Sequence, residues 1–123
     1  MEHHKILIID DEDVICKACK MVLYEKNIQC DHCTSGTEGL ERIFNNPYDM
    51  LLLDMKLQDI DGMEILEAAK KKKPDLYVIV ITGYSTVANA VKAMKLGADD
   101  YLAKPFTEDQ LLAAVKGSKL YNL

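Results

Sequence analysis

The chain has 123 residues, 49% of them hydrophobic, and a formal net charge of −5 from 15 Lys and Arg against 20 Asp and Glu. That length suits one domain with a full core and is too short for two of ordinary size, and the acidic balance argues against a nucleic-acid surface of its own. No apolar run approaches the roughly 18 residues of a membrane span, and MEHHKILIID lacks the apolar core and cleavage site of a signal peptide, so a cytoplasmic location without a membrane partner is expected.

Lys5 to Asp10, KILIID, is an apolar run of strand length that ends in Asp10, Asp11, Glu12 and Asp13. A helical pattern follows through Val14, Ile15, Ala18, Cys19, Val22 and Leu23, so one of these acids is expected to cap that helix and others to gain from its dipole. Ile28 to Cys33 is a weaker strand. Ser35-Gly36 stops it before a helix from about Thr37 to Asn45, which Asn45, Asn46 and Pro47 end. Met50 to Leu53 then form an uninterrupted apolar run between Asp49 and Asp54, the pattern of a strand buried on both faces.

After Asp54 a loop with Gly62 as its turn residue leads into a helix from about Met63 to Lys72. Lys70 to Lys73 complement its dipole and are expected to stay solvated before Pro74 stops it. Leu76 to Ile81 is the fourth apolar run, ended by Thr82-Gly83. Thr86 to Leu96 reads as a helix closed by Gly97, and a short fifth strand from about Asp99 to Ala103 holds Tyr101 and Leu102. Lys104, Pro105 and Phe106 follow. A last helix from about Glu108 to Lys119, capped by Thr107, turns Leu111, Leu112 and Val115 inward. Strands thus alternate with helices five times. Parallel strands need helical crossovers of fixed hand, so the pattern predicts one α/β domain over residues 1–123, a doubly wound five-stranded parallel sheet with five helices on its two faces.

Open α/β sheets bind ligands outside the carboxyl ends of their strands. Asp10, Asp11, Asp54, Thr82 and Lys104 each end a strand or lie just beyond one. An Asp in that place also serves as a turn former that bonds its own backbone. If the first and third strands are neighbours, however, three carboxylates converge on one crevice and raise one another's pKa unless a cation neutralises them. An all-oxygen cluster open to water suits Mg²⁺ or Mn²⁺. Carboxylate, divalent cation, hydroxyl and ammonium together suit phosphoryl transfer, which asks mainly for charge placed around the equatorial oxygens. To point into the crevice Lys104 must turn back from the fifth strand, which predicts a cis peptide before Pro105.

The stretches ILIIDDED, LLLDMKLQDIDG, VIVITGYS and GADDYLAKPF, in this order and spacing, resemble the receiver domain of two-component response regulators over nearly the whole chain. The resemblance implies a flavodoxin-like strand order 2-1-3-4-5, with Asp54 as the phospho-acceptor. It implies that Asp10 and Asp11 ligate Mg²⁺ directly or through water, and that the backbone carbonyl of Lys56 completes the metal site with Asp54. Thr82 and Lys104 would bind the phosphoryl oxygens, and Tyr101 would change rotamer on phosphorylation, unless it is a static strand aromatic. The donor would be a histidine kinase or phosphotransfer protein. The signal would leave through the surface from roughly Ser85 to Lys119, toward an output domain or partner protein. Within the family, TGYSTVANAVKAMKLGADDYLAKPF looks most like receivers of transcriptional activators that work with the alternative sigma factor 54.

Two departures stand out. Gln58 occupies the place where the family commonly has Pro, which leaves that loop less constrained. The chain also ends at Leu123, directly after the last helix, as expected of either a free-standing regulator or a piece of a longer one. Two other readings of the site remain. A Mg²⁺-dependent phosphohydrolase would use an aspartyl nucleophile and a lysine, but Lys56 stands where its second Asp belongs. A flavin or nucleotide binder would need a Gly/Ser/Thr-rich loop after the first strand, where this chain has DDED.

Cys16-x-x-Cys19 and Cys30-x-x-Cys33, with His32 inside the second pair, have the spacing of a four-cysteine zinc site. Their placement on a helix and a strand argues instead for reduced thiols, with Cys19, Cys30 and Cys33 filling the core. His3 and His4 read as a solvated end.

Overall fold

The computed structural model describes residues 5–83, 86–121 and 123; His3, His4 and Ser85 lie outside the described residues. The elements in chain order are β1 (Lys5–Ile9), α1 (Asp13–Tyr24), β2 (Gln29–Cys33), α2 (Gly36–Asn45), β3 (Met50–Asp54), α3 (Gly62–Lys72), β4 (Tyr77–Thr82), α4 (Val87–Lys95), β5 (Asp100–Ala103) and α5 (Glu108–Gly117). The strands form one parallel sheet in the order β2-β1-β3-β4-β5.

Alternation along each strand splits the core in two. Ile6, Ile8, Met50, Leu52, Ile79 and Ile81 face α1 and α5, where they meet Cys16, Leu23, Leu111 and Val115. Leu7, Ile9, Leu51, Leu53, Val78 and Val80 face the other way, toward Ile43 of α2, Ile65 and Leu66 of α3 and Ala93 of α4. Helices covering both faces explain why β1, β3 and β4 read as continuous apolar runs. The edge strand β2, QCDHC, needs no such run, and only Cys33 of its residues is buried.

The expected acid cap on α1 does not form. Glu12 occupies the N-cap position without a side-chain bond. Its N–H instead donates to Asp10 Oδ1 at 2.9 Å, and its carboxylate lies 3.4 Å from Lys104 Nζ. Asp13 does sit in the first turn, where its charge complements the dipole.

Gly97 closes α4 as its sequence position predicts. With φ at +108° it takes a conformation that suits glycine, and the Gly97 and Ala98 N–H groups bond the Met94 and Ala93 carbonyls. Ala93 is the one buried residue of α4.

In the lysine run that closes α3, Lys71 and Lys72 are exposed as expected, but Lys70 is not. Lys70 is largely buried and donates to the Leu76 carbonyl at 2.6 Å while pairing with Asp99 Oδ2 at 2.9 Å. Lys72 lies 5.1 Å from the Phe44 ring centroid, and Lys73 donates to the Asn46 carbonyl. These lysines tie the end of α3 to its neighbours.

The sheet divides the four cysteines and so rules out one four-sulfur site. Cys30 and Cys33 are three residues apart on β2 and point to opposite faces; Cys16, Cys19 and Cys30 join the α1/α5 side and Cys33 the other. All four are free thiols. Cys16, not expected in the core, is fully buried and donates to the Asp10 carbonyl at 3.4 Å, whereas Cys30 on the edge strand is only half-buried.

Burial pushes Cys16 and Cys30 up to about 12 and Cys19 and Cys33 up to about 11. The folded chain keeps protons that an unfolded one releases near the ordinary thiol value. This stability is whole below about pH 8.5 and is lost as pH rises toward 11 to 12. At pH 8 an alkylating reagent should modify the native thiols only as fast as the protein opens, and all four promptly in denaturant. Rapid labelling of native Cys16 would contradict this account.

Candidate functional site at the carboxyl end of the sheet

Ile9 lies opposite Leu53 in the β1–β3 register, and Asp54 lies opposite Ile81 in the β3–β4 register. The residues that follow β1 therefore emerge beside the last residue of β3. Asp10 and Asp54 are almost fully buried, Asp11 is half-buried, and each offers an oxygen within 4.8 Å of the others. Asp10 Oδ1 is held by the Glu12 N–H. Asp10 Oδ2 is buried and accepts no hydrogen bond of good geometry, with Lys104 Nζ 2.8 Å away as an ion-pair contact. Burial, helped by the Asp54 charge, holds the Asp10 pKa above its ordinary value, although Lys104 and the Glu12 N–H oppose it.

Asp54 is gripped at both oxygens. The Lys56 N–H donates to Oδ1 at 3.1 Å and Lys104 Nζ donates to Oδ2 at 3.2 Å. Gly62 sets the return of the following loop: a Cβ there would fall 2.5 Å from Met55 Cα and 2.9 Å from the Asp54 carbonyl oxygen. The expected turn residue is thus required by close backbone approach, since its φ is not in the left-handed range.

Lys104 reaches the crevice from the end of β5. Its N–H bonds the Thr82 carbonyl at 2.9 Å, and the Lys104–Pro105 peptide is cis as the reversal predicted. Burial by itself would lower the Lys104 pKa, but Asp10 and then Asp54 outweigh it and hold the ammonium well above its usual range. Thr82, the last residue of β4, is buried, and Tyr101 is half-buried against the core on the α2/α3/α4 side. Thr82 and Tyr101 line a common cavity of about 200 Å³ with Met55, Lys56 and Asn89.

All six side chains named from the sequence are thus assembled at one end of the sheet, with Lys56 contributing backbone. Sequence reasoning passed over Glu12, grouped with the four acids of which one was expected to cap α1, and Asp59, which has no local signal because its partners are 22 to 24 residues away. Among the described residues, Asp10, Asp11 and Asp54 are the group of three acids suited to a metal ion. One oxygen from each of these three carboxylates lies within 4.8 Å of the others, and the Lys104 ammonium is shared between Asp10 and Asp54, so the residues fit a hard divalent cation.

Residues 6–116 match the family described as the response regulator receiver domain, and the chain belongs to that family. Acceptance of a phosphoryl group on an aspartate and pairing with a histidine kinase are general features of it. An NtrX-like response regulator of Rickettsia bellii is 36% identical over 113 residues, covering 90% of this chain and 24% of that protein. A CheY-like receiver domain of Methanospirillum hungatei superposes with a TM-score of 0.90 at 34% identity, covering 94% of this chain and 93% of that one. A receiver domain of Clostridium thermocellum does so with a TM-score of 0.85 at 41% identity, also covering 94% and 93%. The chain spans 24% of the length of the Rickettsia protein and 50% to 57% of other regulators it matches. No helix among the described residues is long and apolar enough to cross a membrane.

Proposed function

We propose that this chain accepts a phosphoryl group on Asp54 from a histidine kinase or phosphotransfer protein, in a Mg²⁺-dependent reaction, and signals the change through the α4–β5–α5 surface. The observation that carries this reading is the Asp54 carboxylate held between the Lys56 N–H and Lys104 Nζ in an acidic crevice. An Asp54 oxygen attacks phosphorus, forming a P–O bond as the P–N bond to the donor imidazole breaks and the pair returns to the ring. A divalent cation held by Asp10, Asp11, Asp54 and the Lys56 carbonyl would offset the carboxylate charges and stabilise charge on the phosphoryl oxygens; Mg²⁺ suits the site, and Mn²⁺ as a substitute. Lys104 exchanges a carboxylate partner for a phosphoryl oxygen, and the Thr82 hydroxyl donates to another.

Movement of Thr82 toward Asp54 enlarges the cavity it shares with Tyr101, and that ring turns inward to fill it. The α4 surface then changes shape, with Val87, Val91 and Met94 exposed on it. Residues 1–123 act as one receiver unit that modifies only itself, and the output lies in another domain or protein; direct DNA contact is left to that partner. Four free thiols support a reducing, cytoplasmic setting.

Incubation with a small phosphodonor and Mg²⁺, followed by intact mass, tests the chemistry. A single adduct supports the receiver reading, turnover without an adduct supports a phosphohydrolase, and neither would remove both. Hydrogen exchange with a non-hydrolysable phosphoryl mimic should show altered protection between Thr86 and Lys119 and little on the α1 side. Changes confined to Asp10, Asp54 and the loop after it would mean that the surface is not switched in this way.

A further inference from the structure

The loop between Asp54 and α3 is fastened at three places, and the middle one lies outside the site. At its start the Lys56 N–H bonds Asp54 Oδ1 at 3.1 Å. At its end the Gly62 N–H bonds the Met55 carbonyl at 3.3 Å, and Asp61 caps α3 through the Met63 N–H at 2.9 Å. Between them Asp59 lays its carboxylate across the start of α2. Its Oδ1 accepts from the Gly36 N–H at 3.0 Å, and its Oδ2 from the Thr37 N–H and the Ser35 hydroxyl, each at 2.9 Å. Ser35 itself takes the Glu38 N–H on its Oγ at 3.2 Å and the Gly39 N–H on its carbonyl at 2.9 Å. Of the N–H groups that this helix start leaves without an intrahelical partner, those of Gly36, Thr37 and Glu38 are thereby satisfied, two of them by the distant loop.

The contact is apolar beneath its polar edge. A Cβ on Gly36 would lie 2.3 Å from Ile60 Cγ2 and 3.0 Å from Leu57 Cδ1, so loop and helix touch directly. The Thr37 and Gly36 N–H groups, with the two hydroxyls behind them, hold the Asp59 carboxyl well below the usual carboxylate range, so it stays ionised at any working pH. The α2 helix is in turn packed tightly on β1: a Cβ on Gly39 would lie 2.3 Å from Ile9 Cδ1, and Ile9 immediately precedes Asp10. A chain of contacts therefore runs from the strand that carries Asp10, through α2 and Asp59, to the loop that carries Lys56.

We propose that Asp59 is a positioning residue for phosphoryl transfer: docked on α2, it fixes the loop so that the Lys56 backbone is held against Asp54 and in register with Asp10. This rests on Asp54 being the acceptor. With Gln58 and no proline in this loop, the Asp59 carboxylate restrains it by hydrogen bonding.

The test compares Asp59→Ala with Ser35→Ala, which removes a cap from the same helix start but leaves the two backbone bonds to Asp59. In metal-free buffer, amides from Leu57 to Asp61 should exchange faster in Asp59→Ala. Its Mg²⁺ dissociation constant, by calorimetry, should rise about 10-fold, and so should the Mg²⁺ needed for half-maximal labelling by acetyl phosphate, while the rate at saturating Mg²⁺ stays near that of the wild type. Ser35→Ala should lower the melting temperature without changing Mg²⁺ affinity. Asp59→Asn, which keeps an acceptor for Gly36, should fall between and serves if the alanine variant does not fold. Unchanged Mg²⁺ affinity in a folded Asp59 variant, or an equal loss in Ser35→Ala, overturns the proposal. If the wild type takes up no phosphoryl group, the acceptor reading fails, while exchange and calorimetry still judge the loop.

Discussion

Asp54→Ala should leave the chain folded yet unable to take up a phosphoryl group, with no adduct by intact mass under conditions that label the wild type fully. No other acid in the crevice is placed as Asp54 is. Asp10 is closed in by the Glu12 N–H and the Lys104 ammonium, and Asp11 is not gripped by the donors that hold Asp54. Excess chelator should suppress labelling of the wild type to the same degree. Uptake of one phosphoryl group by Asp54→Ala at a wild-type rate would show that the acceptor lies elsewhere.

Lys104→Met should have the largest effect on stability. The ammonium lies 2.8 Å from Asp10 Oδ2 and 3.2 Å from Asp54 Oδ2, and both acids are almost fully buried. Removing one side of a buried ion pair leaves the other uncompensated, a loss of about 3 kcal/mol against a total of roughly 5–15 kcal/mol. Methionine keeps most of the volume, so the loss is mainly one of charge. Mg²⁺ should reverse it. A ligand at 100 times its dissociation constant contributes about 2.7 kcal/mol, and the variant should bind Mg²⁺ more tightly because Lys104 no longer competes for the same oxygens. Urea denaturation across a Mg²⁺ series would measure both effects. A variant as stable as the wild type without metal, or one that Mg²⁺ leaves unchanged, would show that the crevice is not short of positive charge.

The strands of the centre were legible because residues buried on both faces must be apolar throughout, as Met50 to Leu53 are. The strand ends were legible for the same reason, since the first polar residue after each run marked the crevice. What escaped notice depends on contacts between distant segments. Gly36 read as a stop, yet it is the first residue of α2, where Ile60 and Leu57 leave no room for a side chain. Lys70 read as a solvated charge because its carbonyl and carboxylate partners lie after Pro74 and beyond α4. Cys30 read as core and Cys16 did not, because the pattern alone could not say that β2 is an edge strand or that Cys16 reaches back to the Asp10 carbonyl. Glu12 falls at the N-cap position, but its side chain is longer than those that cap a helix well, and its carboxylate lies near Lys104 instead.

The two ends of α4 are closed in different ways. Its last turn is locked by the Gly97 closure, and the Lys70 stem packs 3.1 Å from where a Cβ on Gly97 would lie, while the same lysine reaches Asp99. Its first turn rests on the Thr86 cap, next to an exposed Val87. In the proposed switch such a helix would act as a lever with its pivot at Gly97. At nine residues the arm is about 13 Å long, so a push of about 2 Å at the Val87 end swings its axis by roughly 9°. Under the proposed switch, a short displacement inside the crevice would be delivered outside as rotation, with Val91 and Met94 carried on the arm and Val87 near its tip, where the travel is greatest.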